Sequence, residues 1–273
     1  MLRQFGSGNP GFSDGLQGEA CFDDPQGLAH WRETLFVADR GNHAVRRISL
    51  ATGTVDTLVG RGRPGRMRPH EMPAHDAALH SPSDLALVGD DLYVAVSGLH
   101  QLWRINLATE LVSMLAGSGQ LGLVDGNGGG ASFAQPSGLA VLGRHLVVAD
   151  AAASAIRWVH VDEAKVETAV GTGLYEFGDA PGSRAESRLS NPLGVAVDPR
   201  GIVFIADTYN NGIKVLNRKS GDVRALRINY RFHEPGGLAL AAGVLWVANT
   251  NLHEVMRIDL NSGAAKHVGI GES

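Results

Sequence analysis

Three histidines occupy one position of a repeated turn, and side chains of their type can hold a metal ion. They are His43, His100 and His253. Imidazole nitrogens are common zinc ligands, and zinc with an open coordination position activates water or polarises a carbonyl. The residue types therefore allow one enzymatic hypothesis, a metal-dependent hydrolase or lyase that uses these histidines.

A column of mostly acidic residues precedes the histidine column by four positions. Aligned on the turn, it reads Asp39, Val96, Asp150, Asp207 and Asn249, and the histidine column reads His43, His100, Ser154, Asn211 and His253. Carboxylates at these turns would suit zinc or calcium. Both columns recur with the repeat, whereas a metal site should break the repeat symmetry. We therefore predict that the acids cap their turns, and that the chain has no catalytic residue, metal or cofactor.

A basic segment after the first repeat offers a second chemistry. It holds Arg61, Arg63, Arg66 and Arg68. Clustered arginines attract phosphates, and guanidinium planes stack on unpaired bases of RNA. The whole chain argues against this interpretation, because 24 Lys and Arg stand against 28 Asp and Glu, and aromatic residues make up only 6%. RNA binding therefore stays a second alternative, and no nucleic-acid partner is predicted.

Other motifs that could carry chemistry are excluded by their context. The glycines of GSGNPG, at positions 6, 8 and 11, precede another turn and a strand. A dinucleotide fingerprint requires a strand before them and a helix after them. Cys21 is the single cysteine, so a disulfide or dithiol site within the chain is excluded. With no apolar run near the roughly 20 residues of a membrane span and no secretory signal, we expect a cytoplasmic protein without a membrane partner.

Internal repeats decide the elements that must position these residues. A first anchor recurs as PQGLA, PSDLA, PSGLA, PLGVA and PGGLA, and about ten residues later a second recurs as LFVAD, LYVAV, LVVAD, VFIAD and LWVAN. A third and a fourth apolar run follow, separated by polar turns. Four short strands per unit predict the blades of an all-β propeller, over 16–60, 76–117, 131–171, 187–226 and 232–270 of a single domain, 1–273.

These anchors resemble NHL repeats over nearly the whole chain. The segments GSGNPGFSDG and GSGQLGLVDG, each leading into an A-x-F-x-x-P or A-C-F-x-x-P motif, resemble the propeller half of proteins in which a thioredoxin-like domain precedes NHL repeats. The resemblance implies a thioredoxin-like partner domain, although that domain and its cysteines are absent from this sequence.

A strand count suggests more than five blades. Five units of four strands account for the repeats, and residues 2–5 then read as a spare outer strand of an earlier blade. We therefore expect most of a six-bladed propeller, and the alternative is a closed five-bladed propeller with an extra edge strand.

The long glycine loops and the turns between second and third strands should share one face of such blades. Loops of this kind carry most ligand sites in propellers. We predict a non-catalytic scaffold that binds a protein partner or ligand there. The predicted binding face comprises Asp39, Asn42, His43, Arg61, Arg63, Arg66, Arg68, His100, Asp150, Asp207, Asn210, Asn249 and His253.

Overall fold

The computed structural model describes residues 3–66 and 69–269, and these form an all-β propeller of five antiparallel blades. The chain divides into two compact units, Met1–Leu121 with Gly128–Pro136, and Gly122–Asn127 with Ser137–Ser273. Blades 1 and 2 lie in the first unit, and blades 3 to 5 lie mainly in the second. In the described ranges no helix has the length and apolar character required to cross a membrane.

Blades 1 and 2 are five-stranded sheets. The strands of blade 1 are β1 (Gly15–Leu16), β2 (Pro25–Trp31), β3 (Thr34–Asp39), β4 (Ala44–Ser49) and β5 (Thr54–Gly60). Those of blade 2 are β6 (Met72–Pro73), β7 (Pro82–Val88), β8 (Asp91–Val96), β9 (Gln101–Asn106) and β10 (Leu111–Ala116). The strand orders are β1-β5-β4-β3-β2 and β6-β10-β9-β8-β7, so the short first strand pairs with the outermost one.

Blade 3 repeats this plan, and blades 4 and 5 have four strands each. The strands of blade 3 are β11 (Gly126–Asn127), β12 (Pro136–Leu142), β13 (His145–Asp150), β14 (Ala155–His160) and β15 (Lys165–Val170). Those of blade 4 are β16 (Val195–Val197), β17 (Ile202–Asp207), β18 (Gly212–Asn217) and β19 (Val223–Ala225). Those of blade 5 are β20 (Pro235–Ala241), β21 (Val244–Asn249), β22 (Glu254–Asp259) and β23 (Ala265–Val268).

The expectation of a six-bladed propeller is wrong. Residues 3–5 form no strand, and residues 1 and 2 of the expected spare strand lie outside the described residues. The extra strand is instead Gly15–Leu16, which pairs with Thr54–Gly60 of the blade that follows it. Equivalent two-residue strands precede the main strands of blades 2 and 3. The long loops therefore add a fifth strand to their own blade and do not signal an earlier one.

Apolar side chains on both faces of the central strands build the core. In the first unit, Phe36 of blade 1 and Trp103 of blade 2 belong to one buried cluster. In the second unit, Val147 of blade 3 and Ile205 of blade 4 share another. Strands buried on both faces read as continuous apolar runs, which explains why VVAD and FIAD lack the alternation of a half-exposed strand.

Candidate functional site

The acidic column lies buried at the ends of β3, β13, β17 and β21. Asp39, Asp150, Asp207 and Asn249 are each fully buried. Asp39 accepts the Asp23 N–H at 2.8 Å, and Asp207 accepts the Ser190 N–H at 2.7 Å. The donors stand two residues before Pro25 and Pro192, the first-anchor prolines of the same blades. The acids therefore fix the entry of the chain into its blade. The predicted capping of their own turns is not observed at Asp150 or Asp207, where the turn has no side-chain cap hydrogen bond.

The histidine column connects consecutive blades. His43 Nδ1 accepts the Ser81 N–H at 3.0 Å, and His100 Nδ1 accepts the Gln135 N–H at 3.1 Å. Ser154 and Asn211 occupy the same position in the second unit, where their side-chain oxygens accept the N–H groups of Asn191 at 3.2 Å and Glu234 at 2.8 Å. We call these four interactions the clasp bonds. Each donor immediately precedes the proline of the first anchor in the next blade, which is Pro82, Pro136, Pro192 or Pro235.

Each clasp bond joins two residues that both have strained backbone conformations. The acceptor residues have φ near +50°, as in His43 at 51° and Asn211 at 53°. The donors also have positive φ, 50° for Ser81 and 46° for Glu234, although each precedes a proline. Non-glycine residues adopt this region only where surrounding contacts compensate its cost. The clasp bonds are therefore part of what fixes one blade against the next.

The clasp bonds leave the histidines poorly suited to a metal. A neutral imidazole whose Nδ1 accepts a hydrogen bond carries its proton on Nε2 and has no free lone pair. Both His43 and His100 are in this state. Across residues 3–66 and 69–269, no group of three His, Cys, Asp or Glu side chains is arranged to hold a metal ion. His253 is exposed at the equivalent position of blade 5.

A column of buried cations was missed by the sequence reasoning. The cations stand seven residues after the acids, on β4, β14 and β18. They are Arg46, Arg157 and Lys214. Arg46 and Arg157 are fully buried, and their guanidiniums lie 2.8 Å from Asp39 and 3.1 Å from Asp150. Lys214 Nζ lies 3.9 Å from Asp207. The fixed spacing of seven, with opposite charges in the same three repeats, was the signal available in the sequence.

Each buried cation also binds an acid from the long loop that precedes its blade. Arg46 contacts Asp14 at 2.6 Å, Arg157 contacts Asp125 at 2.9 Å, and Lys214 contacts Asp179. Arg46 also donates to the carbonyls of Ser13 and Cys21. The loop acids come from SDG, VDG and GDA, the ends of the glycine-rich segments. The cations therefore fasten these loops to the blades.

An asparagine of the turn supplies a second anchor in two repeats. Asn42 Nδ2 donates to the Gly11 carbonyl at 2.7 Å and to Asp39 at 2.8 Å. Asn210 makes the same pair of bonds, to the Gly178 carbonyl and to Asp207, both at 2.7 Å. Turn and loop consequently lie on one side of the blade, as the sequence analysis required.

Blade 2 replaces the whole charged set with apolar groups. Val96 stands in place of the acid and Trp103 in place of the cation, and both are fully buried. The Trp103 Nε1–H donates to Gln101 Oε1 at 2.9 Å. In blade 2 both the acid and the cation are replaced. Val96 therefore departs from its column in the blade where no buried cation requires an acidic partner.

The Asp207 carboxyl has a strongly raised pKa. Burial raises the pKa of its carboxyl to about 6, although hydrogen bonds from the Ser190 N–H and Asn210 and the nearby Lys214 ammonium act in the opposite direction. Burial and the adjacent His80 ring lower the pKa of His43 and of His100.

Large apolar side chains are exposed on the side of the blades that carries the long loops, although the loop acids Asp14, Asp125 and Asp179 are also about half exposed. In the second unit, Tyr175 and Phe177 project from the 171–182 loop, with 78% and 68% of their area exposed. Tyr209, on the turn bonded to that loop, is 62% exposed. In the first unit, Phe12 of the 6–15 loop is 42% exposed and lies 5.1 Å from the Arg46 guanidinium. Sequence patterns did not single out these four residues.

The basic segment is exposed at three of its four arginines. Arg61, Arg63 and Arg66 lie on the surface of the first unit, and Arg68 lies outside the described residues. Arg61 donates to the Asp76 carbonyl at 2.8 Å. The segment therefore presents charge, with one of its guanidiniums already engaged.

Comparison with known proteins identifies the repeat. The NHL repeat family model matches residues 189–216, in blade 4. NHL repeat-containing protein 2 of Homo sapiens is 32% identical over 302 residues, covering 94% of this chain and 42% of that protein. Protein SUPPRESSOR OF QUENCHING 1, chloroplastic, of Arabidopsis thaliana is 33% identical over 288 residues, covering 94% and 27%. The chain thus spans less than half the length of these relatives.

Solved structures share the fold at low sequence identity. A chain of a nidogen/laminin complex superposes with a TM-score of 0.66 at 16% identity, covering 92% of this chain and 81% of that one. A streptogramin B lyase superposes with a TM-score of 0.57 at 13% identity, covering 92% and 70%. Identities this low establish architecture alone. With the repeated anchors, the five blades and the family match, this chain is an NHL-repeat protein of the β-propeller fold.

Proposed function

We propose that this NHL-repeat propeller is a non-catalytic module that binds a protein partner through its loop side. The observation that carries the proposal is the anchoring of three long loops by Arg46, Arg157 and Lys214, which fasten one end of each loop from inside the blades. A loop fixed before binding loses little conformational entropy when a partner arrives.

The exposed side chains of the second unit supply suitable contacts. Tyr175, Phe177 and Tyr209 combine large apolar area with few rotatable bonds, and aromatic residues of this kind dominate binding hot spots. In this proposal Asp39, Asn42, Asp150, Asp207 and Asn249 position the loops. The exposed aromatics make the contacts.

For the partner we propose a thioredoxin-like domain in the cytoplasm. The support is the resemblance of the loop segments to proteins that join such a domain to NHL repeats, together with the greater length of the relatives. A single cysteine, Cys21, cannot supply dithiol chemistry. The propeller would therefore present or position the partner's redox site without taking part in the exchange.

Site-specific photocrosslinking tests the proposal. A benzophenone amino acid is placed at Phe177 or Tyr209, and as a control at Lys219, an exposed residue of the turn after β18. Irradiation in cells of the source organism should yield a protein adduct from positions 177 and 209 and none from 219. Mass spectrometry identifies the partner, which is then purified for titration.

The titration uses matched variants. Phe177→Ala should weaken binding about tenfold, as expected for an aromatic hot spot. Leu28→Ala, which removes another exposed apolar side chain on β2, should leave it unchanged. Equal crosslinking at all three positions would overturn the binding surface. An adduct with a protein lacking a thioredoxin-like domain would overturn the partner class and leave the binding module standing.

A further inference from the structure

A shallow, open depression of about 780 Å³, called the cavity below, lies at the opposite end of blades 3 and 4 from the 171–182 loop. It is bounded by the turn between β12 and β13, the end of β14, the turn between β16 and β17, and Arg218 after β18. Leu142, Val197 and Pro199 give it an apolar wall. The cavity lies within the second unit and shares no residue with the proposed binding surface.

Arg218 presents an uncommitted cation to this cavity. Its guanidinium lies 4.7 Å from the centre of the Trp158 ring, and its Nη2 lies 3.4 Å from His145 Nε2. Throughout residues 3–66 and 69–269, no carboxylate lies within ion-pair distance of Arg218. The indole holds the guanidinium by a cation–π contact that leaves its N–H donors available.

Two imidazoles lie beside this guanidinium. The rings of His145 and His160 meet edge to face at 4.8 Å, and both line the cavity. His145 and Trp158 pack edge to face at 6.5 Å. The three side chains come from the paired strands β13 and β14, so their arrangement is set by strand register.

Two of the carboxylates nearby are paired with arginines. Asp198, which lines the cavity, is paired with Arg200 at 2.6 Å and accepts the N–H groups of Arg200 and Ile202 at 2.9 Å each. Asp162 is paired with Arg144. The remaining charge of the lining is therefore positive and is centred on Arg218.

We propose that this cavity binds a small organic anion, with a carboxylate or phosphate on Arg218 and His145 and an apolar body against Leu142, Val197 and Pro199. Guanidinium N–H donors form charge-assisted bonds with such oxyanions, and an imidazole N–H adds a further donor. An apolar wall with a few convergent polar groups is the usual composition of a small-molecule site.

The site also predicts how binding varies with pH. Burial, the Arg218 guanidinium and the His160 ring lower the pKa of His145, while Glu167 and Glu163 act in the opposite direction. A bound anion would favour protonated His145 and raise this pKa. A carboxylate ligand, which stays ionised over this range, should consequently bind more tightly at pH 5.5 than at pH 7.5.

The experiment titrates the full chain with phenyl phosphate, benzoate and, as the uncharged control, benzyl alcohol. Binding is followed by calorimetry and by the indole N–H resonance of Trp158, assigned with Trp158→Phe. Both anions should saturate the site, and benzyl alcohol should not. Arg218→Gln should weaken the anions about tenfold, the size of a lost charge-assisted bond. Lys219→Gln removes the same charge from the next residue, which does not line the cavity, and should change affinity less than about twofold.

Folding of the variants is checked by circular dichroism before titration. Failure of both anions to shift the Trp158 resonance overturns the proposal. Equal affinities for the wild type and Arg218→Gln, or for phenyl phosphate and benzyl alcohol, overturn it as well. None of these outcomes depends on the protein partner, so the loop surface and the cavity are tested separately.

Discussion

The buried cations hold the long loops against one side of the blades. Arg46 has no exposed area, and it joins Asp39 of its own blade to Asp14 of the preceding loop. Two buried charges are tolerated because each satisfies the other and because Asp14 and the Ser13 and Cys21 carbonyls accept further N–H groups of Arg46, although its buried Nε has no hydrogen-bond partner. The acid was predicted from its column in the repeat. Its cationic partner seven residues later was not predicted, because it stands within an apolar run.

Removing one member of such a pair should be more costly than removing both. Arg46→Met is expected to lower the free energy of unfolding by about 3–5 kcal/mol, because Asp39 is left buried without its counter-charge. Adding Asp39→Val should recover part of that loss, since blade 2 accommodates Val96 and Trp103 at the same positions. Urea denaturation followed by circular dichroism measures both.

The neighbouring Arg47 is the control for this pair. It is partly exposed and pairs with Asp56 and Glu110 at the surface. Arg47→Met should therefore cost at most about 1 kcal/mol. Costs of Arg46→Met and Asp39→Val that simply add in the double variant would contradict the pairing argument.

Asp207 should make stability fall as the pH rises. Its folded-state pKa of about 6 lies above the ordinary value of 3.8 for an aspartate, so between these values the folded chain holds a proton that the unfolded chain has lost. The free energy of unfolding then decreases with pH through this window, by about 3 kcal/mol at 1.36 kcal/mol per unit. Asp207→Asn removes this contribution and keeps an acceptor, as Asn249 does in blade 5.

The measurement is the difference in unfolding free energy between the wild type and Asp207→Asn at pH 4, 5, 6 and 7. We expect the unfolding free energy of the wild type to fall steadily relative to that of the variant up to about pH 6. Above that pH the difference should change little. Asp222→Asn, at an exposed turn, controls for the change in net charge. A difference that grows in favour of the wild type with rising pH would mean that Lys214 dominates the Asp207 environment.

At the level of elements, the repeat period predicted the four main strands of each blade but not the short fifth strands. Gly15–Leu16 and Gly126–Asn127 each begin at the glycine of an Asp–Gly pair, but Met72–Pro73 does not, so no single residue pattern marks all three. Their pairing follows from where the loop is anchored, as when Asp14 accepts the Thr57 N–H and hydroxyl beside β1 and β5. A strand of two residues set by a distant side chain carries no periodic signal.

The clasp bonds should make the first two blade connections sensitive to acid. Protonation of His43 or His100 at Nδ1 removes the acceptor for the Ser81 or Gln135 N–H. Because the folded-state pKa of each histidine lies below 6.5, the unfolded chain binds more protons as the pH falls, and stability is lost below about pH 6.5. Replacing both by Asn, the residue at position 211, should abolish this loss.

Hydrogen exchange provides the internal control for the clasps. Protection factors of the Ser81 and Gln135 amides should fall between pH 7 and pH 5 in the wild type and stay constant in His43→Asn/His100→Asn. The Asn191 and Glu234 amides, held by the oxygens of Ser154 and Asn211, should not respond in either protein. A uniform fall at all four amides would point to global acid unfolding rather than to the histidines.

At the scale of the whole molecule, charge limits what the loop side can bind. The chain carries 24 basic and 28 acidic residues, and its four clustered arginines all belong to one segment. Arg61 of that segment is already bonded to Asp76. An RNA-binding surface needs several phosphate contacts along a continuous basic track and aromatic platforms for the bases. The exposed aromatics Tyr175, Phe177 and Tyr209 lie in the other unit from the basic segment.

We therefore expect only weak, salt-sensitive association with RNA. Fluorescence anisotropy with a single-stranded oligonucleotide should give a Kd above about 100 μM at 150 mM salt, the weak end of non-specific binding. Replacing Arg61, Arg63, Arg66 and Arg68 by Gln should leave that value within about twofold, since a few exposed cations contribute little at this ionic strength. A Kd near 1 μM whose salt dependence becomes shallower in the fourfold variant would reverse the conclusion. It would show that one basic loop suffices to override a net charge of −4, and RNA would replace a protein as the partner.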